Sequence, residues 1–261
     1  MSCGGSHSLF LTSECDVISC GNNRDGQCGF DPLECAETCT PFKVAAFDEV
    51  QISSVSAGHN HSLFLSLDGQ VFASGSNQDL CIGAGEGFDR TQTPVFIESL
   101  SGHQVAQINA NHASACITNQ GELFLWGRGV WGDTAFPQQI HTISNPVVDI
   151  SLGRSINVAI DSQGLAWSWG KNANGELGVG DCEQRTHPYP VLSLKGKTIT
   201  KTLCGHNFAI CLGNNIRKET GGNITNPPRP SIAGTNQDGK KKKALKKKRN
   251  AETRKRSMPR P

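Results

Sequence analysis

Three glycines punctuate Gly175-Glu176-Leu177-Gly178-Val179-Gly180-Asp181, soon after a strand-like run that ends in Trp167-Ser168-Trp169. The spacing is nearly a dinucleotide-binding fingerprint written backwards, so the first chemistry to test is a backbone cradle for a phosphate. Such a cradle sets the anion on a helix N-terminus, and no helical pattern follows. Gly29, Gly83 and Gly85 stand at corresponding places earlier in the chain. A phosphate site has no reason to recur at a fixed period, whereas a turn that needs positive φ does, so these glycines read as structural.

His59 and His61 are a second candidate, because alternate residues share a strand face and could form a two-histidine metal site. His7 occupies the place of His61 in an earlier copy of the same motif, which favours a structural hydrogen bond. Of eleven cysteines, six fall in the first 40 residues, and none forms the Cys-x-x-Cys knuckle typical of zinc sites. Their odd number, and the lack of a basic segment before the short apolar run in MSCGGSHSLFLTSECD, favour reduced thiols in cytosol or nucleus over secretion. The sequons Asn60-His61-Ser62 and Asn223-Ile224-Thr225 carry no meaning without secretion. No apolar run reaches the ~18 residues of a membrane helix, so no membrane partner is expected. No Ser/His/Asp order, His-Glu-x-x-His or paired-carboxylate signature stands out, so no catalytic residue, metal ligand or cofactor is assigned.

The remaining chemistry is electrostatic. Residues 1–239 hold 13 Lys/Arg against 22 Asp/Glu, while residues 240–261 hold 12 against 1, so an acidic body precedes a basic tail. The tail concentrates charge at Lys240, Lys241, Lys242, Lys243, Lys246, Lys247, Lys248 and Arg249, then at Arg254, Lys255 and Arg256. This density has the form of a nuclear localisation signal read by importin. It would also neutralise nucleic-acid phosphates weakly and without sequence preference. Phosphorylation of Ser257 would weaken that charge. A solvated tail without a partner is the plainer alternative. Residues 213–239, rich in Gly, Asn and Pro, read as a flexible linker.

The elements that position these groups are repeats. The run HSLFL occurs at His7–Leu11 and again at His61–Leu65, 54 residues apart. Aligned anchors at Gly4, Gly58, Ala110, Gly153 and Gly205 follow at intervals of 54, 52, 43 and 52 residues. Such a period implies stacked supersecondary units that bury apolar faces against one another. Within a unit, Ser62–Leu67 alternates as a strand, Asp68-Gly69 marks a hairpin, and Gln70–Ala73 returns as the partner. Gln120-Gly121 and Gln163-Gly164 repeat the turn, and apolar segments beside proline at Thr93–Ile97 and Tyr189–Leu192 close the unit. The reading is all-β, about four short strands per unit.

The units resemble the repeats of the regulator of chromosome condensation family. Gly58, His61-Ser62, Asp68-Gly69 and Gly75-x-Asn77 carry the likeness in the second unit, and Trp169-Gly170-Lys171-Asn172 with Gly175-Glu176-Leu177-Gly178 carry it in the fourth. Cys20 and Ser74 stand where that family has Trp, and the third unit keeps only Gly127, Gly129 and Gly132 of its glycine loop. The resemblance implies a β-propeller-like array of about four repeat units over residues 1–212, with residues 213–239 as linker and 240–261 as a disordered basic tail. Family propellers typically close seven blades. Two arrangements therefore stand open: a small closed ring, in which Lys197–Leu203 pairs with the first blade, or an incomplete propeller.

The resemblance also implies a nuclear, non-catalytic interaction scaffold, with chromatin association and a cytoplasmic pool both compatible. A protein partner on a propeller face is expected. The alternative is a guanine-nucleotide exchange factor for a Ran-like small GTPase, which distorts the phosphate site of its partner without covalent chemistry.

Overall fold

A computed structural model describes residues 1–215 of the chain. The first sheet holds strands β1 (Ser2–Cys3), β2 (His7–Leu11), β3 (Val17–Asn22) and β4 (Glu37–Lys43); the second holds β5 (Ile52–Ala57), β6 (His61–Ser66), β7 (Val71–Ser76) and β8 (Arg90–Phe96). The third holds β9 (Val105–Ala110), β10 (Ser114–Thr118), β11 (Leu123–Gly129) and β12 (Gly132–Gln139); the fourth holds β13 (Val147–Leu152), β14 (Ile156–Asp161), β15 (Ala166–Gly170) and β16 (Arg185–Pro190). A two-stranded sheet, β17 (Lys197–Cys204) with β18 (Ala209–Asn215), follows. Each sheet is an antiparallel meander in chain order, as in a propeller blade. Pro94 and Pro190 sit in the outermost strands β8 and β16, where a missing N–H leaves no gap between two strands.

The core lies between blades, since a single sheet has nothing of its own to cover its apolar faces. Leu63 and Leu65 of β6 meet Ile108 of β9 and Cys116 of β10; Ala115 and Ile117 of β10 meet Ile150 of β13 and Ala159 of β14. Val158 and Ile160 of β14 then meet Ile199 of β17 and Cys211 of β18. Polar staples reinforce each junction. Ser2 Oγ accepts from Ala57 N–H at 2.9 Å, Ser56 Oγ from Ala110 N–H at 2.9 Å, Asn109 Oδ1 from Leu152 N–H at 2.9 Å, and Ser151 Oγ from Cys204 N–H at 2.8 Å. Buried Asp149 adds a clamp, accepting from Gln107 Nε2, Lys201 Nζ and Thr202 N–H.

The sheet-last unit departs from this pattern. Leu203, in the place of the staple residue, is 55% exposed, and Phe208, Ile210 and Leu212 on the same face are exposed to a similar degree. Their counterparts Leu63 and Leu65 are buried against the following blade.

Three sequence expectations change. Lys197–Leu203 does not pair with the first blade; it pairs with β18, where Cys204↔Ala209 and Leu203↔Ile210 continue the register of the inner hairpins of the first, second and fourth units. The first blade has its own inner strand, the two residues of β1. In the third unit the loop-opening residue is Asn111 rather than Ala110: Ala110 pairs with Ser114 as Ala57 pairs with Ser62, and the connecting loop is one residue shorter.

Candidate functional site

The innermost hairpin of every unit turns through a short loop that opens at Gly4, Gly58, Asn111, Gly153 or Gly205. In each, the opening residue's N–H bonds back across the hairpin, as Gly58 N–H does to His61 O at 2.8 Å and Gly153 N–H to Ile156 O at 2.7 Å. Neighbouring loops abut. Gly5 N–H donates to His59 O at 3.0 Å, and His59 N–H donates to Asn111 O at 2.7 Å. A Cβ on Gly58 would lie 2.7 Å from Asn111 O and closer still to the His61 ring, so glycine here is required by close approach.

In the first unit the residue after the opening position is Gly5, while after the other four of the five opening positions it brings a side chain to this loop cluster: His59, His112, Arg154 and His206. They line one hollow of ≈ 320 Å³ together with the backbone of Gly4, Gly5, Gly58 and Gly205. A second hollow of ≈ 410 Å³ shares His112 and Arg154 and adds Asp79, Arg128, Trp131 and Lys171. The His59 and His112 rings stack with centroids 4.7 Å apart and planes 22° from parallel. Burial lowers the His112 pKa, and the neighbouring charges of His59, Arg154 and His206 lower it further against the opposing pull of Asp79. Arg128, Arg154 and Lys171 bring positive charge to this surface of a body that is acidic through residue 239.

His61 does not join His59. Its Nε2 lies 2.8 Å from Ser114 Oγ, as His7 Nε2 lies 2.9 Å from Ser62 Oγ, and the two serines pass the bond on to Cys81 O and Gln27 O. These histidines lock adjacent blades. Burial pushes the His7 pKa down to about 4 and that of His61 to about 3. Among the described residues no cluster of three metal-ligating side chains forms. All eleven cysteines are free thiols, with burial raising Cys28 to about 11 and Cys81 to about 12.

The glycine loop that suggested a phosphate is a turn held by an asparagine. Gly175 and Gly178 take φ +80° and +67°. Buried Asn172 spans the turn, Oδ1 accepting from Leu177 N–H at 3.0 Å while Nδ2 donates to Asp181 O and Glu183 O. Asn23 and Asn77 repeat the pattern, accepting from Cys28 N–H and Ile82 N–H. The backbone N–H groups a phosphate would need are thus partly engaged.

The basic positions Lys240 to Lys243, Lys246 to Arg249 and Arg254 to Arg256 lie outside the described residues. Sequence reasoning missed the series His59, His112, Arg154 and His206. Its signal was present, as the residue that follows each loop-opening position, but the misplaced third anchor hid the alignment of His112 with the others.

Repeat geometry and sequence patterns agree with known proteins. Two family models described as "Regulator of chromosome condensation (RCC1) repeat" match, one at residues 16–65 and 163–212, the other at 1–27, 52–80 and 147–176. The chain belongs to the RCC1-repeat family. It is 28% identical over 228 residues to the ultraviolet-B receptor UVR8 of Arabidopsis thaliana, covering 83% of this chain and 51% of that protein. It is 30% identical over 231 residues to a mouse protein named RCC1-like G exchanging factor-like protein, covering 82% and 49%. Among solved structures, yeast RCC1 (Prp20) bound to Kap60 superposes with a TM-score of 0.73 at 21% identity, over 83% of this chain and 54% of that one. The chain spans about half the length of these RCC1-repeat relatives. Their range of names supports a protein-interaction or regulatory role for the RCC1-repeat array.

Proposed function

We propose that this RCC1-repeat protein is a non-catalytic nuclear scaffold that receives a protein partner in the inner-loop groove. One observation carries the reading: the same repeat position in four successive units sends His59, His112, Arg154 and His206 into one hollow. A repeat array of this kind makes a continuous surface out of identical offsets, and partner recognition needs such a surface more than it needs any single reactive group. The tail from Lys240 to Arg256 is proposed to bind importin, with chromatin or other nucleic acid as a weaker, salt-sensitive partner. Affinity purification of the full chain with and without residues 240–261, read by mass spectrometry, tests both parts. Loss of importin and of nuclear accumulation on tail deletion, with other partners retained, is the expected result. A tail-deleted protein that stays nuclear overturns the localisation.

The name of the mouse relative favours a second reading, guanine-nucleotide exchange on a Ran-like GTPase. Release of labelled GDP from such a GTPase decides it: acceleration supports exchange, and an unchanged rate removes it.

A further inference from the structure

The two hollows are lined by Arg128, Arg154 and Lys171 beside His59, His112 and His206. Arg154 and Lys171 form no ion pair among the described residues, whereas Arg128 is engaged by Asp133 at 3.0 Å. Trp131 lines the second hollow, and its Nε1 is buried without a hydrogen-bond partner. Asp79 is the single carboxylate residue lining either. Because His112 and Arg154 line both hollows, the two adjoin as one groove. A buried donor without an acceptor is costly, and an arginine without a carboxylate leaves its planar fork unused.

We propose that the groove from His206 past Arg154 and His112 to Lys171 binds a carboxylate-rich peptide segment of a partner protein. This rests on the interaction reading above and names its ligand chemistry. Charge distribution selects a short acidic peptide over nucleic acid. Through residue 239 the chain holds 22 Asp/Glu against 13 Lys/Arg, the groove's own residues included, so a long polyanion leaving the groove meets repulsion while a peptide of limited acidic length does not. The groove is also sensitive to pH. His112 faces His59, Arg154 and His206, which oppose its protonation, and Asp79, which favours it. A bound carboxylate adds a further favouring charge, so binding takes up a proton and strengthens as pH falls.

The full chain is titrated with a fluorescein-labelled peptide of alternating Glu and Gly, beside an oligothymidine of equal charge. The tail, with 12 Lys/Arg, attracts both probes in every variant, so the readout is the difference between wild type, Arg154→Gln and the double variant His112→Gln with Arg154→Gln. Arg154→Gln is expected to weaken peptide binding about tenfold, the loss of one charge-assisted pair. Binding by wild type is expected to tighten about threefold between pH 7.5 and 6.0, and the NMR titration of the His112 ring to move upward when peptide is present. Equal peptide affinity in all three proteins, or an oligothymidine that depends on Arg154 as strongly as the peptide does, overturns the proposal. Arg154 is exposed, so its variant keeps the fold. If the peptide fails while another protein partner still crosslinks to the inner loops, the scaffold reading survives and the acidic ligand does not.

Discussion

Asn172 shows how much a repeat protein can rest on one side chain. It is 1% exposed and satisfies the chain on both sides of the glycine turn, so Asn172→Ala strands buried backbone groups and is expected to cost about 2 kcal/mol. Denaturant unfolding measures that loss, with the m-value unchanged. The matching turn in the second unit carries a conflict. Leu80, at φ +56°, stands where the first and fourth units have Gly26 and Gly175. Leu80→Gly is therefore expected to stabilise by about 1 kcal/mol, seen as a rise in Tm. The blade-locking histidines give a pH signature. Their folded pKa values of about 4 and 3 lie below 6.5, so between those values the unfolded chain binds more protons than the folded one. Their contribution is complete above pH 6.5 and lost as pH falls toward 4, at up to about 1.4 kcal/mol per pH unit for each histidine. Thermal melts from pH 7.5 to 4.5 check this, and His61→Gln is expected to flatten the slope.

At the scale of elements, identical sequence does not mean identical burial. Leu65 and Leu212 occupy the same place in β6 and β18, yet Leu65 is 3% exposed and Leu212 56%. Leu65→Ala is expected to cost about 3 kcal/mol and Leu212→Ala under about 1 kcal/mol, compared by denaturant titration. The strands themselves were legible in the sequence. Period-2 alternation at Ser62–Leu67 and the Asp68-Gly69 turn predict β6 and β7, and both form. The partner of Lys197–Leu203 was not legible, because strand pairing is set by register, and Cys204 and Ala209 carry no turn signal that announces it. The third unit misled for a related reason. Its inner loop is a residue short and its glycine loop is replaced by the direct hairpin Gly129↔Gly132, so spacing alone misplaced its anchor.

Across the whole blade array, function depends on which repeat positions face a common surface. The histidine locks and the turn-spanning asparagines are buried, and their chemistry is spent on holding blades and turns together. The inner loops bring their second residues His59, His112, Arg154 and His206 to one groove, where Arg154 and the neighbouring Lys171 supply positive charge. That property was written in the sequence at four separated positions, but nothing in one copy of the repeat marks it, since only the packing of successive blades brings the four together. Photo-crosslinking tests the claim that partners bind there. His59→p-benzoylphenylalanine and Arg154→p-benzoylphenylalanine are compared in the full chain with Leu67→p-benzoylphenylalanine, an exposed hairpin-turn position outside the groove lining. Discrete protein adducts from positions 59 and 154, absent from position 67, are the predicted result. Adducts from position 67 alone, or none from the groove positions in a protein that still retains its partners, would contradict the account.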